Sequence, residues 1–237
     1  PDTFRLFRAF GVNLKQIYGA TEAAALVALQ ADDEADPNTV GRRLPGTEVR
    51  ISEEGEVLVR SGSTMQGYYK EPGKTAEVLT EDGFLRTGDK GEQDAEGNLR
   101  LTGRIKEIFK TSKGKYVAPA PIENRLAVHS HIEQVCVVGD GLPQPLALCV
   151  LSEAGRKESR EQLEGSLKRL LEETNQVLDK HEQLNGLVLV PEVWAVDNGF
   201  LTPTLKIKRA SVETAYSPHF DAWGERREGV VWHQQVG

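Results

Sequence analysis

The sequence predicts an α+β chain in two unlike parts, 1–106 and 107–237, and three observations carry that expectation. Before residue 102, turn pairs such as Pro45-Gly46, Glu54-Gly55, Asp82-Gly83 and Glu96-Gly97 separate short apolar runs. Short strands at such close spacing suggest a small antiparallel sheet or barrel. Beyond residue 119, apolar runs at 135–138, 146–151 and 187–190 alternate with helical patterns, a compact set of three strands with two helices. Between them residues 103–119, GRIKEIFKTSKGKYVAP, pack four lysines and an arginine around Ile105, Ile108 and Phe109. A basic connector of this kind reads as a solvated linker, a phosphate clamp or a hinge.

Within the first part, Phe4, Leu6, Phe7 and Phe10 give an apolar helical face that Gly11 ends. Residues 14–18 read as a buried strand, residues 19–22 as a turn, and the alanine-rich residues 23–30 as a helix that Thr21 would cap. Residues 31–38, ADDEADPN, form an acidic, exposed loop. Strands follow at 48–51 and 56–60, then a helical turn over 74–79 behind Pro72-Gly73. Asp82-Gly83 turns the chain into the strand 84–86, which Thr87-Gly88-Asp89 closes, and a second hairpin runs from Gly91 to Thr102.

In the second part, Ile122 and Leu126 mark a short amphipathic helix with proline in its first turn. Residues 161–178 form the clearest helix: Leu163, Leu167, Leu170, Leu171, Thr174 and Leu178 share one face, with charges opposite. After Trp194 come Asn198-Gly199, the segment LTPTLKIKR, and a polar tail with Trp223 and Trp232 that packs over some other surface.

The composition is that of a soluble globular protein, with 38% hydrophobic residues, 27% charged residues and a net charge of −7. An acidic total argues against broad nucleic-acid binding, which requires a basic face to displace counterions. Cys136 and Cys149 sit in apolar runs without metal-ligand spacing, so buried thiols in a reducing compartment are expected. No apolar run approaches the roughly 20 residues of a membrane span. The N-terminus, PDTFRLFRAFG, has no signal-peptide pattern and reads as the middle of a larger protein.

Three separated polar sites remain once the histidines, which show no metal-ligand spacing, are set aside. Thr21-Glu22 follow a strand and pair a hydroxyl with a carboxylate, which suits Mg²⁺ and phosphate oxygens; a plain helix cap is the simpler alternative. Asp89, after a glycine turn, could accept both hydroxyls of a ribose diol or be an ordinary turn residue. Arg104, Lys106 and Lys206 could stabilise phosphoryl charge, although Lys206 is also one of several exposed cations in KIKR. Jointly these sites resemble a disassembled nucleotide site.

Five motifs occur in an order that resembles the adenylate-forming enzymes: YGATE at 18–22, GYYKEP at 67–72, GFLRTGD at 83–89, residues 103–119, and LTPTLKIKR at 201–209. The last is similar to the lysine motif of long-chain acyl-CoA synthetases. The resemblance implies the end of an α/β N-terminal domain with a barrel-like subdomain, followed by a mobile C-terminal α+β domain. It implies an ATP-dependent acid–thiol ligase of fatty acid metabolism, cytoplasmic or peripheral at a membrane. ATP, Mg²⁺, a fatty acid and coenzyme A are its expected partners, together with the N-terminal remainder of the same enzyme.

Carried over motif by motif, the resemblance implies a role for each matching residue. Tyr18 would pack along adenine, Gly19 would line the nucleotide, Thr21 would contact phosphate and Glu22 would help hold Mg²⁺. Asp89 would bind the ribose, Arg104 would support ribose or phosphate, and Lys206 would reach the α-phosphate. Glu107 would be the hinge, and Lys113, Gly114, Lys115 and Tyr116 would face the coenzyme A path. The family's phosphate loop and most of its acyl pocket belong upstream of YGATE, so the chain is expected to be inactive alone. Two alternatives stand beside this: an acyl-AMP ligase that loads a carrier protein, and a truncated, non-catalytic binding or regulatory module.

Overall fold

The computed structural model of the chain describes residues 2–34 and 36–233. Pro1 at the N-terminus, Ala35 in the acidic loop and residues 234–237 of the tail lie outside the described residues. The chain forms two compact units, Pro1–Ile105 and Lys106–Gly237. No helix among the described residues is long and apolar enough to cross a membrane.

The first unit opens with α1 (Asp2–Ala9), then β1 (Ile17–Tyr18), β2 (Ala28–Leu29) and β3 (Arg42–Arg43) in a small antiparallel sheet. A second antiparallel sheet follows in the order β4 (Thr47–Ile51), β5 (Glu56–Ser61), β6 (Leu85–Gln93), β7 (Leu99–Arg104), with helix α2 (Pro72–Val78) between β5 and β6. Tyr18, Ala23, Val27, Ala28, Val57, Val59, Leu85 and Leu99 form the shared core.

Three expectations fail in this unit. The segment read as a buried strand at 14–18 is a strand only at Ile17–Tyr18, and only Tyr18 is buried, because the two-residue ladder with β2 covers no more of it. Residues 23–30 are not a helix, and Thr21 does not cap one: a single 3₁₀ turn, Thr21–Ala23, is followed by Ala24 and Ala25 at φ 52° and 81°. The chain then doubles back, Val27 N donating to Tyr18 O at 2.8 Å, to pair β2 with β1. Helix propensity is a weak preference that tertiary pairing overrides. The Thr87-Gly88-Asp89 segment does not end a strand either; it lies inside the nine-residue β6. Between the pairs Glu56↔Lys90 and Leu58↔Arg86 the register slips, so the segment bulges from the ladder. Bulges of this kind re-aim side chains beside functional sites.

A 3₁₀ turn, Ile105–Glu107, leads into the second unit, which begins with a hairpin of β8 (Phe109–Lys110) and β9 (Tyr116–Val117) and helix α3 (Pro119–Leu126). Next come β10 (Ile132–Val138), β11 (Leu146–Leu151), α4 (Glu153–Lys157), α5 (Arg160–Gln176) and β12 (Gly186–Val190). The chain finishes with α6 (Arg209–Tyr216), α7 (Phe220–Gly224) and β13 (Val230–Trp232). The sheet has four strands, not the three expected, in the order β10-β11-β12-β13. Its first pair is antiparallel and the other two are parallel.

Both faces of this sheet are covered, which explains its continuous apolar strands. Val135, Val137, Ala147, Cys149, Leu187, Leu189 and Val230 face one core, built with Ile122 and Leu126 of α3 and Leu163, Leu167 and Leu170 of α5. Their neighbours Cys136, Val138, Leu148, Val150, Val188, Val190 and Val231 face another, built with Val212, Tyr216, Phe220 and Trp223. The region read as a polar tail therefore supplies two helices and an edge strand. Its helices show only one or two apolar residues per turn, too sparse a stripe to stand out.

Helix α5 starts at a serine cap: Ser159 Oγ accepts from Gln162 N at 3.4 Å and donates to Gln162 Oε1 at 2.6 Å. Ser159→Ala is expected to lower stability by about 1 kcal/mol, read as a shifted midpoint in urea unfolding of the chain.

Candidate functional site

The bulge in β6 builds the first half of the candidate site. Because the ladder is interrupted there, side chains replace its bonds. Gly88 N and Arg86 Nε donate to the two oxygens of buried Glu56, each at 3.0 Å, and Thr87 Oγ1 donates to Val57 O at 2.7 Å. Gly88 takes φ 71°, a conformation that glycine adopts without strain. Asp89 N in turn donates to Thr87 Oγ1 at 3.1 Å, so the Asp89 side chain sits on a fixed backbone.

Two residues from distant parts of the first unit hold that carboxylate. Tyr18 OH donates to Asp89 Oδ2 at 2.7 Å, and Arg104 Nε lies 3.1 Å from Oδ1. Arg104 is the cross-strand neighbour of Asp89 in the β6–β7 ladder. Burial first, and then the hydrogen bond to Asp89 and its charge, push the Tyr18 phenol well above its ordinary range, so Tyr18 remains a donor. An ionised carboxylate has about four lone-pair sites. With two occupied, the others can accept a diol through the opening that leaves 12% of the Asp89 side chain exposed.

Gly19, next to Tyr18, passes so close to the returning chain that a Cβ there would lie 1.5 Å from Ala25 O. Thr21 is exposed. Glu22 Oε1 accepts from Tyr68 OH at 2.7 Å, and that bond is the main cause of the raised Tyr68 pKa. The other Glu22 oxygen and the Thr21 hydroxyl have no side-chain partner among the described residues. No group of three or more His, Cys, Asp or Glu gathers around a metal position among them. One free carboxylate oxygen beside a hydroxyl fits Mg²⁺, which takes one or two carboxylates and completes its shell with phosphate oxygens and water.

The remaining predicted residues belong to the second unit. Lys206 is exposed on the loop from Phe200 to Lys208, which an isolated bridge between Leu201 and Ile207 closes. Thr202 Oγ1 accepts from Lys206 N at 3.1 Å, and Thr202 N donates to Lys206 O at 2.8 Å. Leu205, just before the lysine, takes φ 61°, a strained conformation for leucine, and its side chain is exposed. Lys113, Gly114, Lys115 and Tyr116 form the exposed tip of the β8–β9 hairpin, with Lys110 Nζ 5.5 Å from the Tyr116 ring centroid. Glu107 is part-exposed on the 3₁₀ turn.

Motif reading had not singled out Glu56, Thr87, Tyr68, Glu123 or Arg209 for roles. Thr87 and Tyr68 stand inside motifs already quoted; buried Glu56 gave no local signal. Cys136 and Cys149 are buried on opposite faces of the sheet, and burial pushes both thiols up to about 12, so neither is a nucleophile.

Comparison with known proteins agrees with the motif order. Residues 1–69 match the family described as AMP-binding enzyme, and residues 106–228 match the AMP-binding enzyme C-terminal domain. A long-chain-fatty-acid–CoA ligase of Mycobacterium bovis is 34% identical over 91% of this chain and 39% of its own length. Long-chain-fatty-acid–CoA ligase 1 of Cavia porcellus is 33% identical over 90% of the chain and 35% of its own. The chain therefore spans between 35% and 39% of the length of these two relatives. Among solved structures, the A domain of carboxylic acid reductase from Segniliparus rugosus, in complex with AMP and a co-purified carboxylic acid, is 25% identical. It superposes with a TM-score of 0.74 over 94% of this chain and 37% of its own. The fold is that of the adenylate-forming enzymes, and the chain belongs to the AMP-binding enzyme family.

Proposed function

We propose that this chain supplies the ribose-binding carboxylate and the catalytic lysine of a long-chain fatty acid–CoA ligase that works through an acyl-adenylate. The observation that carries the reading is the Asp89 carboxylate, fixed by Tyr18 and Arg104 and still partly open. In the first half-reaction a fatty carboxylate oxygen attacks the α-phosphorus of ATP and pyrophosphate leaves. The mixed anhydride overcomes the poor leaving group of a free carboxylate. In the second, the thiol of coenzyme A attacks the acyl carbon, AMP departs and the thiol proton goes to solvent.

Each group has a task set by its chemistry. Asp89 accepts the ribose hydroxyls, Arg104 balances its charge, and Glu22 with Thr21 offers hard oxygens to Mg²⁺ on the phosphates. Lys206, a cation without an ion-pair partner among the described residues, stabilises charge growing on the α-phosphate. The pair of Lys113 and Lys115 beside Tyr116 suits the phosphates and adenine of coenzyme A. Turnover is assigned to the longer enzyme. The chain by itself, mixed with ATP, oleate and coenzyme A, is expected to give no steady acyl-CoA.

Asp89→Asn in a full-length enzyme carrying this segment tests the reading. Loss of a charged acceptor should raise the KM for ATP about 10- to 100-fold, equivalent to about 1.5–3 kcal/mol, and leave the KM for the fatty acid unchanged. An unaltered KM for ATP would remove the ribose assignment.

A further inference from the structure

Arg209 ends the motif that carries Lys206, yet its side chain turns back into the second unit and is only 16% exposed. Its Nη2 lies 2.6 Å from Glu123 Oε1 on α3, and its Nη1 donates to Val137 O on β10 at 2.5 Å. Glu123 Oε1 also accepts from Val137 N at 2.7 Å. One guanidinium thus ties together α3, β10 and the first residue of α6. Planar, rigid and always charged, it is suited to bridging several acceptors at once.

A second carboxylate faces the same group. Glu107 Oε2 lies 3.9 Å from Arg209 Nη2, against 2.6 Å for Glu123. Arg209 Nε, by contrast, is buried without a hydrogen-bond partner among the described residues. The cation therefore has one tight partner, one loose partner and a spare donor. The tight contacts anchor the base of the lysine loop, where Lys208 N also donates to Phe200 O at 2.8 Å. The loose contact reaches the turn at Ile105–Glu107, where the chain passes from one unit to the next.

We propose that Arg209 is a positioning residue that fastens this turn to the loop carrying Lys206, with its pair to Glu107 as the part that is made and broken. The proposal rests on the reading of Lys206 as the adenylating lysine and of Glu107 as the hinge. It adds a physical link between them. Glu123 and Val137 keep the guanidinium in place, so loosening Glu107 frees the turn without moving the base of the loop. A partly exposed pair at this distance is weak, as a part that must open in each cycle requires.

Hydrogen–deuterium exchange on the 237-residue chain tests the link without any nucleotide. In Glu107→Gln, amides of 105–108 should exchange about three- to fivefold faster, the size expected for a partly exposed ion pair. Those of β11 should be unchanged. Arg209→Lys, which keeps the charge but loses the fork, should give the same local effect together with faster exchange at the start of α6. Exchange at 105–108 equal to wild type in Glu107→Gln would overturn the link. In a full-length enzyme, Glu107→Gln should also change the ratio of the adenylation rate to the thioester-forming rate. A local exchange effect with an unchanged ratio would overturn the positioning role. Absence of adenylation even in the unsubstituted enzyme would instead count against the ligase reading.

Discussion

Lys206→Ala is expected to slow acyl-adenylate formation by about a hundred- to a thousand-fold, the usual cost of removing one group aimed at developing charge. Thioester formation from supplied acyl-adenylate should continue at its original rate. The structure makes the test clean. Lys206 is exposed, and only its backbone takes part in the loop, through Thr202. The fold should therefore change by no more than about 0.5 kcal/mol, and thermal unfolding of the variant chain should overlay the parent. Lys208, two residues on and also exposed, provides the control. Lys208→Ala should leave adenylation intact if one lysine in particular meets the phosphate. Equal loss of both half-reactions in Lys206→Ala would rule out its assignment.

Gly19→Ala is expected to have the largest effect on the first unit, although it adds only one methyl group. The new carbon would sit 1.5 Å from the Ala25 carbonyl oxygen, a contact between two backbones that no side-chain rotation relieves. Relief requires β1 and β2 to separate, which withdraws Tyr18 from Asp89 and opens the core around Ala28. A loss of about 3 kcal/mol or more is expected, in the range of severe core disruption. It should appear in denaturant unfolding followed by exchange at the β5 and β6 amides. Gly88→Ala gives the contrast: its Cβ would meet nothing within 4 Å, and only the φ of 71° resists it. That variant should lose about 1 kcal/mol. Similar stability of Gly19→Ala and the parent would mean that the two strands do not approach as described.

Much of the second unit was legible because local pattern and tertiary role coincide there. The runs at 146–151 and 187–190 are apolar at every position since both faces of the sheet are buried. The leucine stripe of α5 marks its inward side. What escaped was the covering of the second face. Val212, Tyr216, Phe220 and Trp223 lie in short helices whose remaining residues are at least partly exposed, so the pattern around them looked like a tail.

The sequence by itself determined the α+β class, the strand-and-turn texture of the first unit and, through five ordered motifs, the family. Each of these is written in residues close together along the chain. The tertiary structure alone decided which polar groups meet. Tyr18 finds Asp89 across 71 positions, and Arg209 finds Glu123 across 86. It also decided that the alanines after Glu22 reverse the chain instead of forming a helix, and that the segment around Asp89 bulges from a strand instead of ending one. The reason is the same in each case. Composition and periodicity report which way a residue faces, whereas a hydrogen bond or a close backbone approach depends on what lies opposite.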